Sequence, residues 1–231
     1  MDRVVIITGS SRGIGLASAA KFLRHGDRVV IFCRHKNEIN NAKEYLSEFG
    51  KSDSILSLVG DVRKAKDVAH IVGATLDKFG RVDVLVNNAG IAIYKTIEET
   101  TEDEWDDVLA TNLKGAYLFC KEVLPAMKKQ NSGVIINISS GLGVQGEAKY
   151  SAYSASKFGL VGLTQVLADE LKNTGIKVYA VLPGAVATKL HLDMHPWEDP
   201  SSMMTPEYVA EKIFNLADGK QKSGYLLEVY S

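Results

Sequence analysis

The sequence predicts a doubly wound α/β domain, in which helices cover both faces of a mostly parallel seven-stranded sheet. Three observations predict this class. First, short runs rich in valine and isoleucine alternate with longer helical segments along the chain. Second, most of these runs are apolar without polar alternation, which is typical of strands buried on both faces of a parallel sheet. Third, no linker, repeat or low-complexity segment interrupts residues 1–231, so a single domain is predicted.

The strands and helices follow from these runs in chain order. The predicted strands cover residues 3–8, 28–33, 54–60, 82–86, 134–138, 176–182 and 225–230. The predicted helices cover residues 14–25, 37–49, 64–79, 101–130, 152–173 and 206–217. Repeated strand–helix–strand units require right-handed crossovers and place helices on both faces. The segment 189–204 shows no clear periodicity and is predicted to be a substrate loop or lid, because long loops in compact domains are usually functional.

Cap residues support several of these boundaries. Thr101 precedes an acidic first turn, and acidic side chains stabilise the positive end of a helix dipole. Pro206 follows Thr205 at the first position of the last helix, where proline costs no hydrogen bond. Gly26 and Gly175 follow predicted helices and are expected to be their C-caps.

Charge and cysteine usage narrow the function classes. The formal net charge is -1, which argues against binding to nucleic acid or to an anionic membrane surface. Cys33 and Cys120 match neither a disulfide framework nor a zinc motif, and no His, Cys, Asp and Glu cluster shows metal-ligand spacing. We therefore expect no bound metal, and we interpret His191 and His195 as ordinary loop residues. The N-terminus lacks a secretory signal and no apolar run could span a membrane, so a cytoplasmic location is expected.

A glycine-rich turn follows the first predicted strand. It reads Thr8-Gly9-Ser10-Ser11-Arg12-Gly13-Ile14-Gly15 and leads directly into a helix. Glycines let the backbone turn sharply, and the free N–H groups of a helix N-terminus bind phosphate. A tight turn without a ligand is the alternative, and the position between a buried strand and a helix argues against it.

The glycine spacing, Gly-x-x-x-Gly-x-Gly after a threonine, resembles that of the short-chain dehydrogenase/reductase family. Further motifs extend the resemblance over nearly the whole chain: Asp61-Val62, Asn87-Asn88-Ala89-Gly90, Asn112, Ser140, Tyr153-Ser154-Ala155-Ser156-Lys157, Pro183-Gly184 and Thr188. The resemblance implies a Rossmann-type fold and an oxidoreductase that transfers a hydride between nicotinamide and a ketone, an aldehyde or a secondary alcohol. Within the family, the chain resembles the NADP(H)-preferring 3-oxoacyl-[acyl-carrier-protein] reductases and small carbonyl reductases.

The end of the second predicted strand indicates NADP(H) rather than NAD(H). A carboxylate there would bind the ribose 2′-hydroxyl of NAD, but the strand ends in Cys33-Arg34-His35-Lys36. Arg34 and Arg12 offer two guanidinium groups, which suit the 2′-phosphate of NADP. The alternative, that both arginines are solvated surface groups, is weaker for two arginines than for one.

By resemblance, cofactor-binding positions run from the glycine turn to the segment after the sixth strand. Asp61 and Val62 are implied to contact adenine, residues 88–90 to line the floor under the riboses, and Val186 and Thr188 to contact the nicotinamide amide or the pyrophosphate. The complete predicted set is Gly9, Ser11, Arg12, Gly13, Ile14, Gly15, Arg34, Asp61, Val62, Asn88, Ala89, Gly90, Tyr153, Lys157, Pro183, Gly184, Val186 and Thr188.

Tyr153 and Lys157 form the predicted reaction centre. They are four residues apart on a predicted helix, so their side chains share one face. A nearby ammonium would lower the tyrosine pKa from about 10 and suit the phenol to general acid catalysis. The resemblance adds Ser140, which orients the substrate oxygen, and Asn112, which holds a water that links Lys157 to solvent; it also implies that Lys157 binds the nicotinamide ribose. On an arbitrary helix such a pair is more often a packed ring beside a solvated amine.

The substrate is expected to be a small carbonyl compound or alcohol in a fairly apolar pocket, with walls from residues 91–95, 141–150 and 189–204. A 3-oxoacyl group on acyl carrier protein is an alternative, and Lys128, Lys129 and Lys172 could receive that acidic partner. The C-terminus, Gly224-Tyr225-Leu226-Leu227-Glu228-Val229-Tyr230-Ser231, departs from the Asp-Gly-Gly tail of that branch. The departure argues against the acyl-carrier alternative.

A homodimer or homotetramer is expected, because the family pairs the long helices at 101–130 and 152–173 in a two-fold, four-helix interface. A module that senses NADPH without turnover is a further alternative. The joint presence of Asn112, Ser140, Tyr153 and Lys157 argues against it, since a sensor would not need all four.

Overall fold

A seven-stranded sheet is the scaffold of the computed structural model, which describes residues 2–230. The strands are β1 Val4–Thr8, β2 Arg28–Cys33, β3 Ile55–Val59, β4 Val84–Asn87, β5 Gly133–Ile138, β6 Ile176–Pro183 and β7 Leu226–Val229. They lie in the order β3-β2-β1-β4-β5-β6-β7, and every neighbouring pair is parallel. The order reverses between β1 and β4, where open α/β sheets form a ligand-binding crevice at their carboxyl ends. The predicted doubly wound α/β fold is confirmed.

Helices cover both faces of this sheet. They are α1 Gly13–Arg24, α2 Lys36–Leu46, α3 Ala65–Phe79, α4 Glu102–Leu109, α5 Gly115–Gln130, α6 Ser151–Glu170, α7 Lys189–Met194 and α8 Pro206–Leu216. Phe22 of α1, Ile39 of α2 and Ile213 of α8 pack in the core on one face. Ile71 of α3 and Phe119 of α5 pack in the core on the other. Within residues 2–230, no helix is long and apolar enough to cross a membrane.

Strand β1 contributes to both of these cores. Val5 and Ile7 pack on the side of α1, whereas Ile6 packs on the side of α3 and α5. Successive side chains of a strand point to opposite faces of the sheet. Because both faces are covered, all three side chains are buried, which explains the unbroken apolar run in the sequence.

The predicted N-caps are confirmed at two helices. Thr101 forms a capping box at α4: its hydroxyl accepts a hydrogen bond from the Glu104 backbone N–H at 3.2 Å, and the Glu104 carboxylate accepts one from the Thr101 N–H at 3.0 Å. Thr205 accepts a hydrogen bond from the Tyr208 N–H at the start of α8, where Pro206 occupies the first turn. These contacts satisfy backbone donors that a helix start leaves without intrahelical partners.

The two predicted C-cap glycines differ in outcome. Gly26 follows α1 with a φ of +84°, a left-handed conformation that glycine adopts without steric cost. Gly175 is not a C-cap, because α6 ends at Glu170, several residues earlier. Gly175 instead lies against the Asn131 carbonyl oxygen, which a Cβ on Gly175 would overlap.

The predicted helix at 101–130 is divided in two. A π-helical turn at Ala110–Lys114 joins α4 to α5. Such a turn inserts one extra residue into a helix and changes the direction of the side chains around it. Here it contains Asn112, which is 1% exposed and faces the segment after β4. Apolar periodicity does not reveal the turn, because the residues on both sides of it continue a helical pattern.

The segment predicted as a loop at 189–204 contains regular structure. It begins with the six-residue helix α7 and includes a 3₁₀ turn at Pro200–Ser202. The side chain of Thr188 accepts a hydrogen bond from the His191 N–H at 3.3 Å and starts α7. A helix of six residues is too short for apolar periodicity to indicate it.

A series of hydrogen bonds between buried polar side chains sets the position of α6. Asn87 on β4 donates to the Asn137 side-chain oxygen on β5 at 2.8 Å, and Asn137 donates to the Thr164 hydroxyl on α6 at 2.9 Å. The Thr164 hydroxyl donates to the Leu160 carbonyl at 2.8 Å. A broken bond in this series would leave a buried donor without a partner, which typically costs about 1–3 kcal/mol. These hydrogen bonds therefore hold α6 at a defined height above the sheet.

Candidate active site

A cavity of about 920 Å³ runs along the carboxyl ends of the strands. Its walls come from the glycine turn, the ends of β2 to β6, the start of α6, and α7 with the segment that follows it. Eighteen of the predicted site residues line it: Gly9, Ser11, Arg12, Gly13, Ile14, Arg34, Asp61, Val62, Asn88, Ala89, Gly90, Ser140, Tyr153, Lys157, Pro183, Gly184, Val186 and Thr188. The two remaining residues, Gly15 and Asn112, are buried and do not line the cavity.

The glycine turn is held tightly against the end of β4. Gly9 has a φ of +64°, and a Cβ there would lie 2.9 Å from the Ala89 Cα. A Cβ on Gly15 would lie 2.5 Å from the Gly9 carbonyl oxygen, so any side chain at either position would force the backbone apart. The Asn88 side-chain amide donates to the Thr8 and Gly9 carbonyls at 2.9 and 3.1 Å.

The start of α1 is open to an anion. No side chain caps this helix, and its first turn contains no acidic residue. The free backbone N–H groups and the positive end of the dipole therefore face the cavity. This geometry fits a pyrophosphate bound on the glycine turn.

Charged side chains surround the end of the cavity that lies beyond β2. Arg12 and Arg34 line it as predicted, together with His35 and with Glu38, which the sequence analysis did not identify. The Ser11 hydroxyl donates to the Glu38 carboxylate at 3.2 Å. Glu38 is in the first turn of α2, two residues beyond the Cys33-Arg34-His35-Lys36 motif, so inspection of the strand end alone does not find it.

Asp61, at the end of β3, is bound to Arg63. The Arg63 guanidinium donates to both Asp61 carboxylate oxygens, with its shortest contact at 2.7 Å, and also reaches Asp107 at 2.6 Å. Burial raises the Asp61 pKa, but the Arg63 hydrogen bonds outweigh it and hold the pKa below its usual value. Asp61 is therefore ionised, and the sequence did not predict that Arg63 holds it in place.

Lys157 is a buried cation on α6. Its side chain is 4% exposed, and its ammonium donates to the Ile138 carbonyl at the end of β5 at 2.8 Å. The ammonium nitrogen lies 5.5 Å from the centre of the Tyr153 ring. Loss of hydration disfavours the charged form, and burial lowers the Lys157 pKa to about 8.

Tyr153 is half-buried, and the desolvation of its phenol changes its expected acidity. Burial raises the Tyr153 pKa above its usual value, and an interaction with the Ser140 hydroxyl offsets only part of that rise. The predicted decrease caused by Lys157 is therefore wrong for the protein alone. The reason is that the loss of hydration around the phenol outweighs its favourable contacts. The phenol is protonated at neutral pH.

Two adjacent serines follow β5, and their hydroxyls make different hydrogen bonds. Ser139 donates to the Lys157 carbonyl at 3.0 Å, so its hydroxyl proton is used within the protein. Ser140 accepts a hydrogen bond from the Leu142 N–H at 3.1 Å and interacts with Tyr153. Ser140 is therefore the serine that interacts with Tyr153, and its role in orienting a substrate oxygen stays a prediction.

Asn112 supports the site from the π-helical turn. Its carbonyl oxygen accepts from the Ile91 N–H, and its amide donates to the Ile91 carbonyl and the Ser156 hydroxyl, each at 2.9 Å. A Cβ on Gly90 would lie 3.4 Å from the Asn112 side-chain oxygen and 3.6 Å from the Lys157 nitrogen, so the two side chains lie near each other. The water-holding role of Asn112 stays a prediction.

An aromatic and histidine-rich wall closes the other end of the cavity. The Tyr150 hydroxyl and the His195 Nε2 form a short hydrogen bond, and the Tyr94 ring lies 5.1 Å from Tyr150 and 5.0 Å from His195. His191 Nε2 lies 2.8 Å from the Glu198 carboxylate. The expected apolar pocket is thus partly polar, because Gln145, Glu147, His191, His195 and Glu198 line it as well.

The structure places His191 on α7 and His195 at its C-cap, so these histidines are not in the irregular loop that was expected. With Glu198 they form a group whose possible ligand atoms all lie within 4.8 Å of one another. His191 and His195 are four residues apart, a spacing that brings side chains to one side of a helix, whereas Glu198 lies in the irregular segment beyond α7. Because the segment 189–204 was predicted to be an irregular loop, the four-residue spacing of the two histidines was not interpreted as a sign that they lie together.

Comparison with known proteins identifies the family. The family model described as short chain dehydrogenase matches residues 3–199. The chain belongs to this family. This short-chain dehydrogenase is therefore an oxidoreductase, and members of the family use nicotinamide cofactors.

Individual relatives cover most of the chain. An uncharacterized oxidoreductase of Thermotoga maritima is 41% identical over 187 residues, which are 81% of this chain and 73% of the relative. A 3-oxoacyl-[acyl-carrier-protein] reductase of Staphylococcus epidermidis is 36% identical over 82% of this chain and 78% of its own length. Levodione reductase of Leifsonia aquatica is 34% identical over 95% of this chain and 82% of its own.

Solved structures share the fold. The crystal structure of levodione reductase matches 100% of this short-chain dehydrogenase and 96% of its own chain, with a TM-score of 0.94 and 29% identity. A structure of actinorhodin polyketide ketoreductase with NADPH matches 99% of this chain and 96% of its own, with a TM-score of 0.92 and 33% identity.

The buried ammonium generates a prediction about stability and pH. The Lys157 pKa is about 8 in the folded short-chain dehydrogenase and 10.5 ordinarily. Between these values the unfolded chain binds more protons, so the Lys157 contribution should raise the free energy of unfolding by about 3 kcal/mol as pH rises through this window.

Lys157→Met should lack this rise, because it has no charge to desolvate. Urea unfolding of both proteins at pH about 7.5 and about 10 measures the difference. An identical pH dependence in the two proteins would show that the ammonium is not desolvated in the folded state.

Proposed function

We propose that this short-chain dehydrogenase transfers a hydride between NADP(H) and a ketone or aldehyde, or in reverse a secondary alcohol. One observation carries the proposal: Ser140, Tyr153 and Lys157 line the same cavity as the glycine turn. The cavity therefore holds the groups that bind the cofactor next to a proton donor and a hydroxyl that orients the substrate. A dinucleotide on the turn would extend along the cavity toward Tyr153.

The residues of the cavity fit a nicotinamide dinucleotide. The glycine turn and the open N-terminus of α1 would hold the pyrophosphate, and Lys157 would hold the nicotinamide ribose. When bound, the dinucleotide supplies or accepts the hydride. Asn88 contributes indirectly, because its amide holds the carbonyls of Thr8 and Gly9 and keeps the turn in shape.

Tyr153 supplies the proton in the reducing direction. Its raised pKa keeps the phenol protonated, so its hydroxyl can donate to the substrate oxygen as the carbon is reduced. Ser140 donates a hydrogen bond to the same oxygen and orients it. Lys157 lies beside the Tyr153 ring, and its positive charge stabilises the phenolate that remains after proton transfer.

Two guanidinium groups favour NADP(H) at the charged end of the cavity. Arg12 and Arg34 both line that end and suit a 2′-phosphate dianion. Glu38 lines it too and would repel the phosphate, so the preference depends on the balance between two cations and one anion. The solved actinorhodin polyketide ketoreductase contains NADPH, which supports the same choice.

A 3-oxoacyl group on acyl carrier protein is a second candidate substrate. The Staphylococcus epidermidis relative with 36% identity is a 3-oxoacyl-[acyl-carrier-protein] reductase, which favours this candidate. The Tyr150 and Tyr230 rings line the cavity and add bulk to its wall. A small ketone or aldehyde therefore remains the first candidate.

Cofactor choice is tested at Arg34 and Glu38. Arg34→Asp should weaken NADPH binding by about 10-fold to 100-fold or more and change NADH binding much less, because charge-assisted hydrogen bonds to the 2′-phosphate are lost. Glu38→Gln should strengthen NADPH binding by about twofold to tenfold, since it removes a like charge.

Fluorescence titration with both cofactors measures these affinities. Lys66→Asp is the matched control, because Lys66 is exposed on α3 outside the cavity and undergoes the same charge change. Wild-type protein that prefers NADH would contradict the assignment.

The proton donor is tested with Tyr153→Phe. This variant keeps the ring and should bind NADPH normally, but its turnover should fall by about 10²–10⁴-fold, the usual contribution of a positioned general acid. Lys157→Ala should lose turnover and also weaken NADPH binding, because the ammonium is proposed to hold the ribose.

Turnover over a panel of ketones and aldehydes, together with NADPH affinity, is measured for each variant. Tyr208→Phe on the exposed face of α8 is the control. Near-normal turnover of Tyr153→Phe would require another proton source, and absence of turnover in the wild type would favour an NADPH-sensing module.

A homodimer is proposed on the face formed by α5 and α6. Tyr117, Phe158 and Val166 are large apolar side chains that are 45–55% exposed there. Closed two-fold pairing is the common way for soluble proteins to cover such a face. Light scattering at micromolar concentration should give at least twice the mass of 25.1 kDa, and Val166→Glu should lower it. A monomeric wild type would contradict the proposal.

A further inference from the structure

Two histidines and one glutamate meet in the cavity wall opposite the cofactor end. We call His191, His195 and Glu198 the His–Glu cluster. His191 and His195 are four residues apart along α7 and its C-cap, and Glu198 follows three residues later. All three line the same cavity as Ser140 and Tyr153. None of them has a part in the hydride transfer proposed above.

The cluster arranges one carboxylate between two imidazoles. His191 Nε2 lies 2.8 Å from one Glu198 oxygen, and His195 Nδ1 lies 3.6 Å from the other. The potential ligand atoms of all three residues lie within 4.8 Å of one another. An ion at the centre of such a group would reach all three with small side-chain adjustments, since imidazole and carboxylate ligands bind Zn²⁺ at about 2.0–2.2 Å.

Tyr150 orients the His195 ring. The Tyr150 hydroxyl hydrogen-bonds His195 Nε2, and Tyr150 itself is 4% exposed. The His195 ring also packs edge-on against Tyr94 and Trp197, with ring centres 5.0 and 5.3 Å apart. A hydrogen bond at the second ring nitrogen is what orients imidazoles that bind metals through the first. Here it turns the Nδ1 of His195 toward Glu198.

An ordinary ion pair accounts for only half of this geometry. His191 and Glu198 are within hydrogen-bond distance, but 3.6 Å is too long for a hydrogen bond from His195 to the same carboxylate. When His195 Nε2 donates its proton to Tyr150, its Nδ1 presents a lone pair to a carboxylate oxygen. Two electron pairs that face each other are stabilised by a cation between them.

We propose that His191, His195 and Glu198 form a binding site for a divalent transition metal, with Zn²⁺ as the ion that fits best. Two imidazoles and one carboxylate are a known zinc ligand set that leaves a fourth position for water or a substrate oxygen. Because the cluster lines the cavity, that position is available to a ligand there. The ion would also join α7 to the turn that contains Glu198 and so brace this wall.

Metal binding is measured directly, without reference to turnover. The full chain is stripped of metal with a chelator and titrated with Zn²⁺ in competition with a chromogenic chelator. We expect one Zn²⁺ per chain, and about 10-fold or greater loss of affinity in His191→Ala, His195→Ala and Glu198→Gln. Tyr150→Phe should lose about 10-fold to 100-fold, as expected for a group that orients a ligand.

Two controls separate this site from other sources of binding. His70→Ala removes an exposed histidine on α3 outside the cluster and should leave Zn²⁺ affinity unchanged. Co²⁺ in place of Zn²⁺ should give d–d absorption without the near-ultraviolet band of a thiolate ligand, which excludes Cys33 and Cys120. Circular dichroism confirms that each variant is folded, and His191, which is only half-buried, tolerates replacement more readily than His195.

Two results would overturn the proposal. Wild-type protein that binds Zn²⁺ no more tightly than the His191→Ala/His195→Ala double variant would leave the cluster as an ion pair. A thiolate band with Co²⁺ that disappears in Cys33→Ser would assign the bound ion to a different place. Neither result depends on cofactor preference or catalysis, so the metal site and the proposed oxidoreductase activity fail or succeed separately.

Discussion

The hydrogen bond from the Lys157 ammonium to the Ile138 carbonyl joins α6 to the carboxyl end of β5. A buried ammonium is unfavourable unless its charge is compensated, and the lowered Lys157 pKa reflects that cost. The bond therefore requires α6 to lie close above β5. The Ser139 contact to the Lys157 carbonyl and the Asn137 contact to Thr164 hold the helix there from two further points. Helix α6 is consequently fixed to the carboxyl end of β5 and is not a movable cover.

The glycine turn also depends on close packing, in this case of backbone against backbone. Gly9 and Gly15 leave no room for a Cβ, and Asn88 holds the carbonyls of the turn from the end of β4. These contacts bring the backbone of β1 and β4 together at the point where strand order reverses. The glycine turn and the Lys157 side chain thus line the same cavity. A dinucleotide bound in this cavity could contact both.

The two ends of the cavity differ in chemistry. Arg12, Arg34 and Glu38 supply full charges at the end beyond β2, where a phosphate would bind. The opposite end is aromatic and contains histidines, with Tyr150 and His195 joined by a hydrogen bond. Only this second end is built from α7 and its neighbours, which differ in structure from the loop that was expected. Recognition of the proposed substrate would therefore depend on a local structure that the rest of the fold does not impose.

The sequence by itself determined the sheet, the glycine turn and the pairing of Tyr153 with Lys157. Strand burial, glycine spacing and a four-residue helical interval are local properties, and each is visible within about 20 residues. Tertiary structure alone decided the π-helical turn at Asn112, the contacts of Arg63 and Glu38, the raised pKa of Tyr153 and the His–Glu cluster. These features depend on desolvation and on contacts between segments that are distant or irregular in the chain. No local pattern reports how much water a fold removes from a phenol, or which turn brings a carboxylate between two imidazoles.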